Sequence, residues 1–255
     1  MDLHLRLAST LFWLFMLLSS VLLFPIALVI WALTAPFDRR RWLLHRFTSL
    51  WASLYTWLNP AWPITLEGRE KWDDRRAYVV VANHLSLVDI LVLFRLFKHF
   101  KWVSKIENFR VPFIGWNMWL NRYIPLVRGD AASARKMLEA CKEALAEGSS
   151  VMIFPEGTRS KDGRLRPFKS GAFRLALQCK VPILPIVIEG TGDALPKAGY
   201  ILRGRHPIRV RILDPIEPEA FQGETVESLT ARVRQRFARE LGEEAPAAGG
   251  TERVA

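Results

Sequence analysis

No charged residue stands between Arg6 and Asp38. Most positions from Leu11 to Leu33 are Leu, Phe, Trp, Val, Ile or Ala, which meets the roughly 20-residue requirement for crossing bilayer hydrocarbon. The first element of such a chain has to sit against an apolar phase, and the rest must be arranged around it. A cleaved signal peptide has a shorter apolar core and a stronger leading charge. Here only Arg6 leads, while Arg39, Arg40 and Arg41 follow at once. By the positive-inside rule that cluster places the downstream chain at the cytoplasmic face. Pro25 leaves a spanning and a re-entrant course both open. Residues 42–64 continue as a more amphipathic stretch with Trp42, Trp51, Trp57 and Trp62 at its rim and His45 and Arg46 inside it. Six of the ten tryptophans precede residue 65, and this enrichment reads as an interfacial helix rather than an ordinary buried one. Residues 1–62 are expected to form an N-terminal membrane-associated helical element.

The remaining length of the 255-residue chain suits one domain. Two cysteines, Cys141 and Cys179, without a CxxC pair exclude a disulfide framework, a thioredoxin-type motif and a cysteine zinc site, and no metal is expected. The net charge of +11 is concentrated, with +3 on residues 1–64, +11 on 65–215 and −3 on 216–255. A basic domain suits nucleic acid, an anionic membrane or a phosphorylated substrate, and the apolar segment ahead of it selects the membrane over nucleic acid.

From Pro63 the pattern alternates between β-rich runs and helical stretches. Strands are expected at 63–67, 77–82, 100–104, 123–127, 149–154, 183–189 and 207–213. Helices are expected at about 86–98, 131–147 and 168–179, the second capped by Asp130 and stopped by Gly148. Alternating elements with doubly apolar strands predict an α/β domain over 63–215, a mostly parallel central sheet of about seven strands flanked by helices. Residues 216–255 are read as a Glu/Arg helix near 224–241 and a disordered tail.

Working residues in such sheets lie where strands end. In VVVANHLSLVD, Asn83 and His84 directly follow a strand and Asp89 lies five residues on. A helix starting near Ser86 would put His84 at its positive end, favouring neutral imidazole. Asp89 would hold the second ring nitrogen and stabilise the imidazolium formed on proton uptake. A His with an Asp five residues later is a weak signal alone. In VMIFPEGTRS, residues 151–160, a strand runs into a glycine turn. Gly157 lets backbone N–H groups approach a ligand, Glu156 and Arg159 supply opposite charges, and the Arg159 guanidinium suits paired hydrogen bonds to phosphate. Lys161, Arg164, Arg166, Lys169 and Arg174 follow, read mainly as a solvated basic face.

Together these stretches resemble the glycerolipid acyltransferases, specifically the bacterial-type 1-acyl-sn-glycerol-3-phosphate (lysophosphatidic acid) acyltransferases. Asn83, His84 and Asp89 match the N-H-x4-D motif, and Phe154 to Ser160 match F-P-E-G-T-R-S letter for letter. SKIENFRVPFIGW matches the intermediate block at Lys105, Pro112 and Gly115, and VPILPIVIEG the fourth at Val181, Pro182 and Pro185. The resemblance covers about residues 60–215. One departure is visible: the family often has an acidic residue before the arginine at Arg128, where Val127 stands here.

The resemblance implies an enzyme that acylates the sn-2 hydroxyl of lysophosphatidate from acyl-CoA or an acyl carrier protein thioester, giving phosphatidate, with no cofactor beyond the donor. His84 and Asp89 would be catalytic, and Lys105, Arg128, Glu156, Gly157, Thr158 and Arg159 would bind substrate. Lysophosphatidate, membrane lipids and the acyl donor are the expected partners, with no nucleic acid. The family's two-helix membrane-associated element is a second form that residues 1–62 can take. A serine hydrolase using Ser86 or Ser160 lacks the GxSxG turn. A binding-only module leaves His84, Asp89, Glu156 and Arg159 unexplained. An acyltransferase for another lysolipid, such as a lyso-ornithine lipid, shares the same chemistry.

Overall fold

The computed structural model describes residues 3–197 and 199–243. All seven expected strands are present: β1 (Ile64–Glu67), β2 (Val79–Ala82), β3 (Phe100–Lys105), β4 (Ile124–Leu126), β5 (Ser150–Ile153), β6 (Ile183–Glu189) and β7 (Ile208–Ile212). They form one sheet in the order β1-β7-β6-β2-β5-β3-β4. Each neighbouring pair is parallel except β6 with β7. Strand side chains alternate between faces. In β2, Val80 and Ala82 therefore join one core with Phe94, Phe100, Trp102, Leu184 and Ile186, while Val79 and Val81 join the other with Phe173, Leu175, Ile183, Leu229 and Phe237. Each fully buried large side chain contributes about 1.5–3 kcal/mol.

The eight α-helices are α1 (Leu3–Thr34), α2 (Trp42–Trp57), α3 (Val88–Phe94), α4 (Ile114–Leu120), α5 (Ala131–Ala146), α6 (Gly171–Cys179), α7 (Thr191–Ala194) and α8 (Val226–Glu240) among the described residues. Helices α2 and α3 supply the first core, and α5, α6 and α8 the second. Asp130 caps α5 as expected, its carboxylate accepting from the Ala132 and Ser133 N–H groups. Helix α3 is shorter at both ends than the 86–98 expected, and α6 starts three residues later than 168. Helix α8, expected as an appendage after residue 215, places Leu229, Val233 and Phe237 in the second core and completes that face. The expected tail over 244–255 lies outside the described residues.

Helix α1 runs unbroken through Pro25, so the chain does not turn back at that proline. Its 32 residues span about 48 Å, and among the described residues it is the one helix long and apolar enough to cross a membrane. One face packs on α2 through Phe12, Met16, Leu23 and Ala27 against Leu44, Trp51 and Tyr55. Leu3, Leu7, Leu11, Leu14, Leu18, Leu22, Val29 and Leu33 stay exposed on the other. The expected interfacial character of α2 is corrected. His45, Thr48, Ser49, Trp51, Ala52 and Tyr55 are buried, because α2 is wedged between α1 and the domain. Its His45 bridges the Tyr123 hydroxyl at 2.8 Å and the Lys98 carbonyl at 2.9 Å. Trp42, Leu43, Leu50 and Trp57 alone keep large apolar exposure along it.

Candidate active site

Strand β2 delivers His84 to the carboxyl edge of the parallel sheet. The next-door Asn83 side chain extends the pairing of β2 with β6 past its last backbone bond. Its amide donates to the Ile188 carbonyl and its oxygen accepts from the Ile188 N–H, both at 2.8 Å. Two contacts from the β5 side hold the His84 backbone. Its N–H donates to Glu156 Oε1 at 2.7 Å, and its carbonyl accepts from the Ser160 N–H at 2.7 Å. The imidazole stacks on Phe154 at 3.9 Å between centroids and 9° between planes, and Phe154 stacks in turn on Trp102. Ring plane and backbone are both fixed before any ligand arrives.

Asp89, fully buried, closes the site. Its Oδ2 accepts from His84 Nδ1 at 2.7 Å and from the Leu85 and Ser86 N–H groups at 2.7 and 2.8 Å, while Oδ1 accepts from the Thr191 hydroxyl. With Nδ1–H donating, Nε2 carries the ring's lone pair. No described residue hydrogen-bonds Nε2, and the 11% exposure of the side chain leaves it open to a reactant. The expected helix start near Ser86 is corrected here. Helix α3 begins at Val88, and the Leu85 and Ser86 N–H groups are consumed by Asp89 instead of facing His84.

The glycine turn after β5 has the conformation its sequence demands. Gly157 sits at φ +69°, where a Cβ would lie 2.9 Å from Lys169 Cε, and its N–H donates to the Phe154 carbonyl at 3.0 Å. Glu156, expected to bind substrate, turns inward. It is 4% exposed, and its two oxygens accept from the His84 and Arg166 N–H groups. Its carboxylate thus joins the strand end that carries His84 to the basic loop, with both oxygens engaged by backbone N–H groups.

Burial pushes the Glu156 carboxyl from 4.5 up to about 7, and neighbouring Asp89 adds to the rise against the two backbone hydrogen bonds. The native protein therefore keeps a proton that the unfolded chain releases between those values. The stabilisation from this group is complete below pH 4.5 and is lost as pH rises to 7, on the order of 3 kcal/mol in all. Glu156→Gln, neutral throughout, is expected to lose that slope in urea unfolding between pH 5 and 7.5. A slope as steep as in the wild type would place the titration on another group.

The cations gather beside this turn. Lys197 Nζ donates to the Arg159 carbonyl at 2.7 Å and to Thr158 Oγ1 at 3.3 Å. Desolvation, then the charges of Arg166, Lys161, Arg159 and Arg128, lower the Lys197 pKa, so these groups share one electrostatic neighbourhood. Lys105 ends β3 opposite Leu126 of β4, and exposed Arg128 follows two residues later, which brings both to the same sheet edge. A cleft of about 490 Å³ bounded by Leu85, Ser160, Lys161, Gly192, Lys197 and Arg203 opens beside the His84 turn.

Of the residues singled out in the sequence, His84, Asp89 and Glu156 meet directly. Thr158 and the Arg159 carbonyl contact Lys197, Arg128 acts on it through its charge, and Lys105 stands near Arg128 at the ends of β3 and β4. The sequence does not single out Lys197 and Thr191. Their contacts reach across 38 and 102 positions of chain, and no local pattern marks them.

A family model described as Acyltransferase matches residues 63–189. A 1-acyl-sn-glycerol-3-phosphate acyltransferase of Limnanthes douglasii is 33% identical over 193 residues, 75% of this chain and 68% of that protein. Proteins of the same description from Chlamydomonas reinhardtii and the chloroplast of Arabidopsis thaliana are 39% and 42% identical over 75% and 71% of this chain. The chain spans 58% and 51% of the length of these two relatives. The crystal structure of the 1-acyl-sn-glycerophosphate (LPA) acyltransferase PlsC from Thermotoga maritima superposes with a TM-score of 0.70 at 25% identity, over 95% of this chain and 99% of that one.

Proposed function

The chain belongs to the 1-acyl-sn-glycerol-3-phosphate acyltransferase family, and on that premise we propose that it moves a fatty acyl group from acyl-CoA or an acyl carrier protein thioester to the sn-2 hydroxyl of lysophosphatidate, forming phosphatidate at the cytoplasmic face of a membrane. The observation that carries this reading is the His84 and Asp89 pair, with its open Nε2 beside the basic neighbourhood of Arg159. Nε2 takes the proton of the acceptor hydroxyl as its oxygen attacks the thioester carbon. Collapse of the tetrahedral intermediate breaks the carbon–sulfur bond, and the imidazolium returns the proton to the leaving thiolate. Asp89 orients the ring and balances its transient charge.

Arg159, Lys105 and Arg128 bind the acceptor phosphate, with Lys197 reinforcing the same field. Thr158 and the Gly157 turn shape the loop that presents Arg159. The donor is the only other participant, with no cofactor. Direct transfer is supported by the two nearby serines. Ser86 Oγ donates to the Leu195 carbonyl and Ser160 Oγ to Asp162 and the Arg164 carbonyl, so neither hydroxyl addresses His84. The exposed apolar stripe of α1 supports delivery of both lipids through the bilayer.

Detergent-solubilised protein given a long-chain acyl-CoA or acyl carrier protein thioester is expected to release thiol only when lysophosphatidate is present. Release without acceptor would make the protein a thioesterase, and no release with either donor would reject the reading. Arg159→Ala is expected to raise KM for lysophosphatidate about tenfold or more while leaving KM for the donor unchanged. A selective loss of donor affinity would reassign this arginine.

A further inference from the structure

Thr191 lies two residues beyond the stretch that the family model matches and 102 positions from Asp89. Its side chain is fully buried, so it does not meet substrate. Its hydroxyl ends on Asp89 Oδ1, the carboxylate oxygen that none of the three N–H donors serves. We propose that Thr191 is a positioning residue for acyl transfer, its hydroxyl setting the Asp89 carboxylate that orients His84. The proposal rests on the reading of His84 as the base.

Without that hydroxyl, Oδ1 is a desolvated carboxylate oxygen with no partner. Rotation of the carboxylate to share its donors would then carry the Nδ1 contact with it and turn the imidazole away from its set orientation. The chain holds Thr191 in place for this contact. Gly190 before it has φ +83°, and a Cβ there would lie 2.1 Å from the Pro207 carbonyl oxygen, so the turn out of β6 requires glycine. Leu195 N–H donates to the Thr191 carbonyl at 3.0 Å, and the Leu195 carbonyl accepts from Ser86 Oγ at 2.7 Å. The 191–195 turn is thereby fastened to the 86–89 turn at two points, once through Asp89 and once through Ser86.

The hydroxyl also has an electronic effect. Its O–H dipole draws charge from the carboxylate and away from Nδ1–H. Removing it leaves a more negative partner facing the ring, so His84 holds its proton more firmly. The ionisable groups on Asp89 are His84, through the hydrogen bond, and Glu156, through its field. Glu156 is common to all the variants below, so their differences report on Thr191.

The test uses the full chain in detergent with acyl-CoA and lysophosphatidate. Thr191→Val is expected to lower kcat about tenfold, leave KM within about twofold and move the acid limb of kcat/KM to higher pH by about half a unit. Thr191→Ser, which keeps the hydroxyl, is expected to restore both. In an Asp89→Asn background the Thr191→Val change is expected to cost less than it does in the wild type. Wild-type kcat in Thr191→Val, equal losses in Val and Ser, or an undiminished loss in the Asp89→Asn background would each overturn the proposal. If Thr191→Val does not fold, Thr191→Ala carries the same comparison. Titration of the His84 ring proton by NMR reads the change whichever acceptor the enzyme uses. An unmoved midpoint rejects the role of Thr191. A raised midpoint in a variant of a wild type inactive on lysophosphatidate upholds that role and rejects the acceptor.

Discussion

Replacing His84 by alanine is expected to lower kcat for acyl transfer by about 10³-fold, within the range for loss of a general base, with KM for the lysolipid within about twofold. The backbone of residue 84 is held by Glu156, Ser160 and the neighbouring Asn83, none of which needs the imidazole. The alanine variant therefore keeps its fold, and the loss falls on the chemical step. Acceptor-dependent thiol release beside a thermal melt checks both halves. More than a tenth of wild-type kcat in a folded alanine variant would remove His84 as the base.

Asp89→Asn is expected to combine a kcat loss of about 10³-fold or more with a stability loss of about 2–4 kcal/mol. The carboxylate accepts at both ends, from three N–H groups at Oδ2 and from the Thr191 hydroxyl at Oδ1. An amide placed there must turn its NH₂ towards one of them. Facing the Oδ2 side, it opposes the Leu85 and Ser86 N–H groups and forces the wrong tautomer on His84. Facing Thr191, it asks that hydroxyl to accept instead of donate, which preserves the ring contact at lower strength and without the charge. Urea unfolding together with kcat measures the two effects, and a variant that loses activity with unchanged stability would mean that the turn relaxes around the amide.

Much of this fold was written in local patterns. Each strand is a short run of β-branched and apolar residues between turn signals, and Asp130 at the start of α5 announced its own cap. The direction of β7 was not legible, because alternation along IRVRI is the same whichever way the strand runs. Helix α4 has no local mark in the sequence, because IGWNMWL has no capping residue ahead of it. It follows Phe113 at φ +61° and is held by packing of Phe109 on Trp119 and of Phe24 on Trp116. For α2 the tryptophans suggested an interface, whereas its fate was decided by α1, which covers the side that would otherwise face outward.

The site divided along similar lines. Histidine and aspartate five residues apart could be paired from spacing alone, since the turn between them is short. The inward orientation of Glu156 could not, because a carboxylate next to an arginine reads alike whether it faces a ligand or two backbone amides. Thr191 and Lys197 depend wholly on how β6 and the loop after it return to β2 and β5.

The reversal at β7 has a consequence for the work of moving a lipid. Because β7 runs against β6 and β1 runs with β7, Ile64 begins its strand at the edge where β2 and β6 end. The chain leaving α2 therefore joins the domain at the same sheet edge as His84, three strands away. The first half of α1 meets the same edge, where Trp13 Nε1 donates to the Tyr200 carbonyl and Ser9 Oγ accepts from the Leu202 N–H. Pulling a fatty chain of roughly 16 carbons from hydrocarbon into water costs about 0.8 kcal/mol per CH₂, on the order of 10 kcal/mol in total. That desorption barrier would dwarf most of what a headgroup site can return. With the apolar helix and the His84 edge in one frame, the proposed transfer would let an acceptor offer its hydroxyl to His84 while its tail stays in oil, and the product would slide back without ever dissolving.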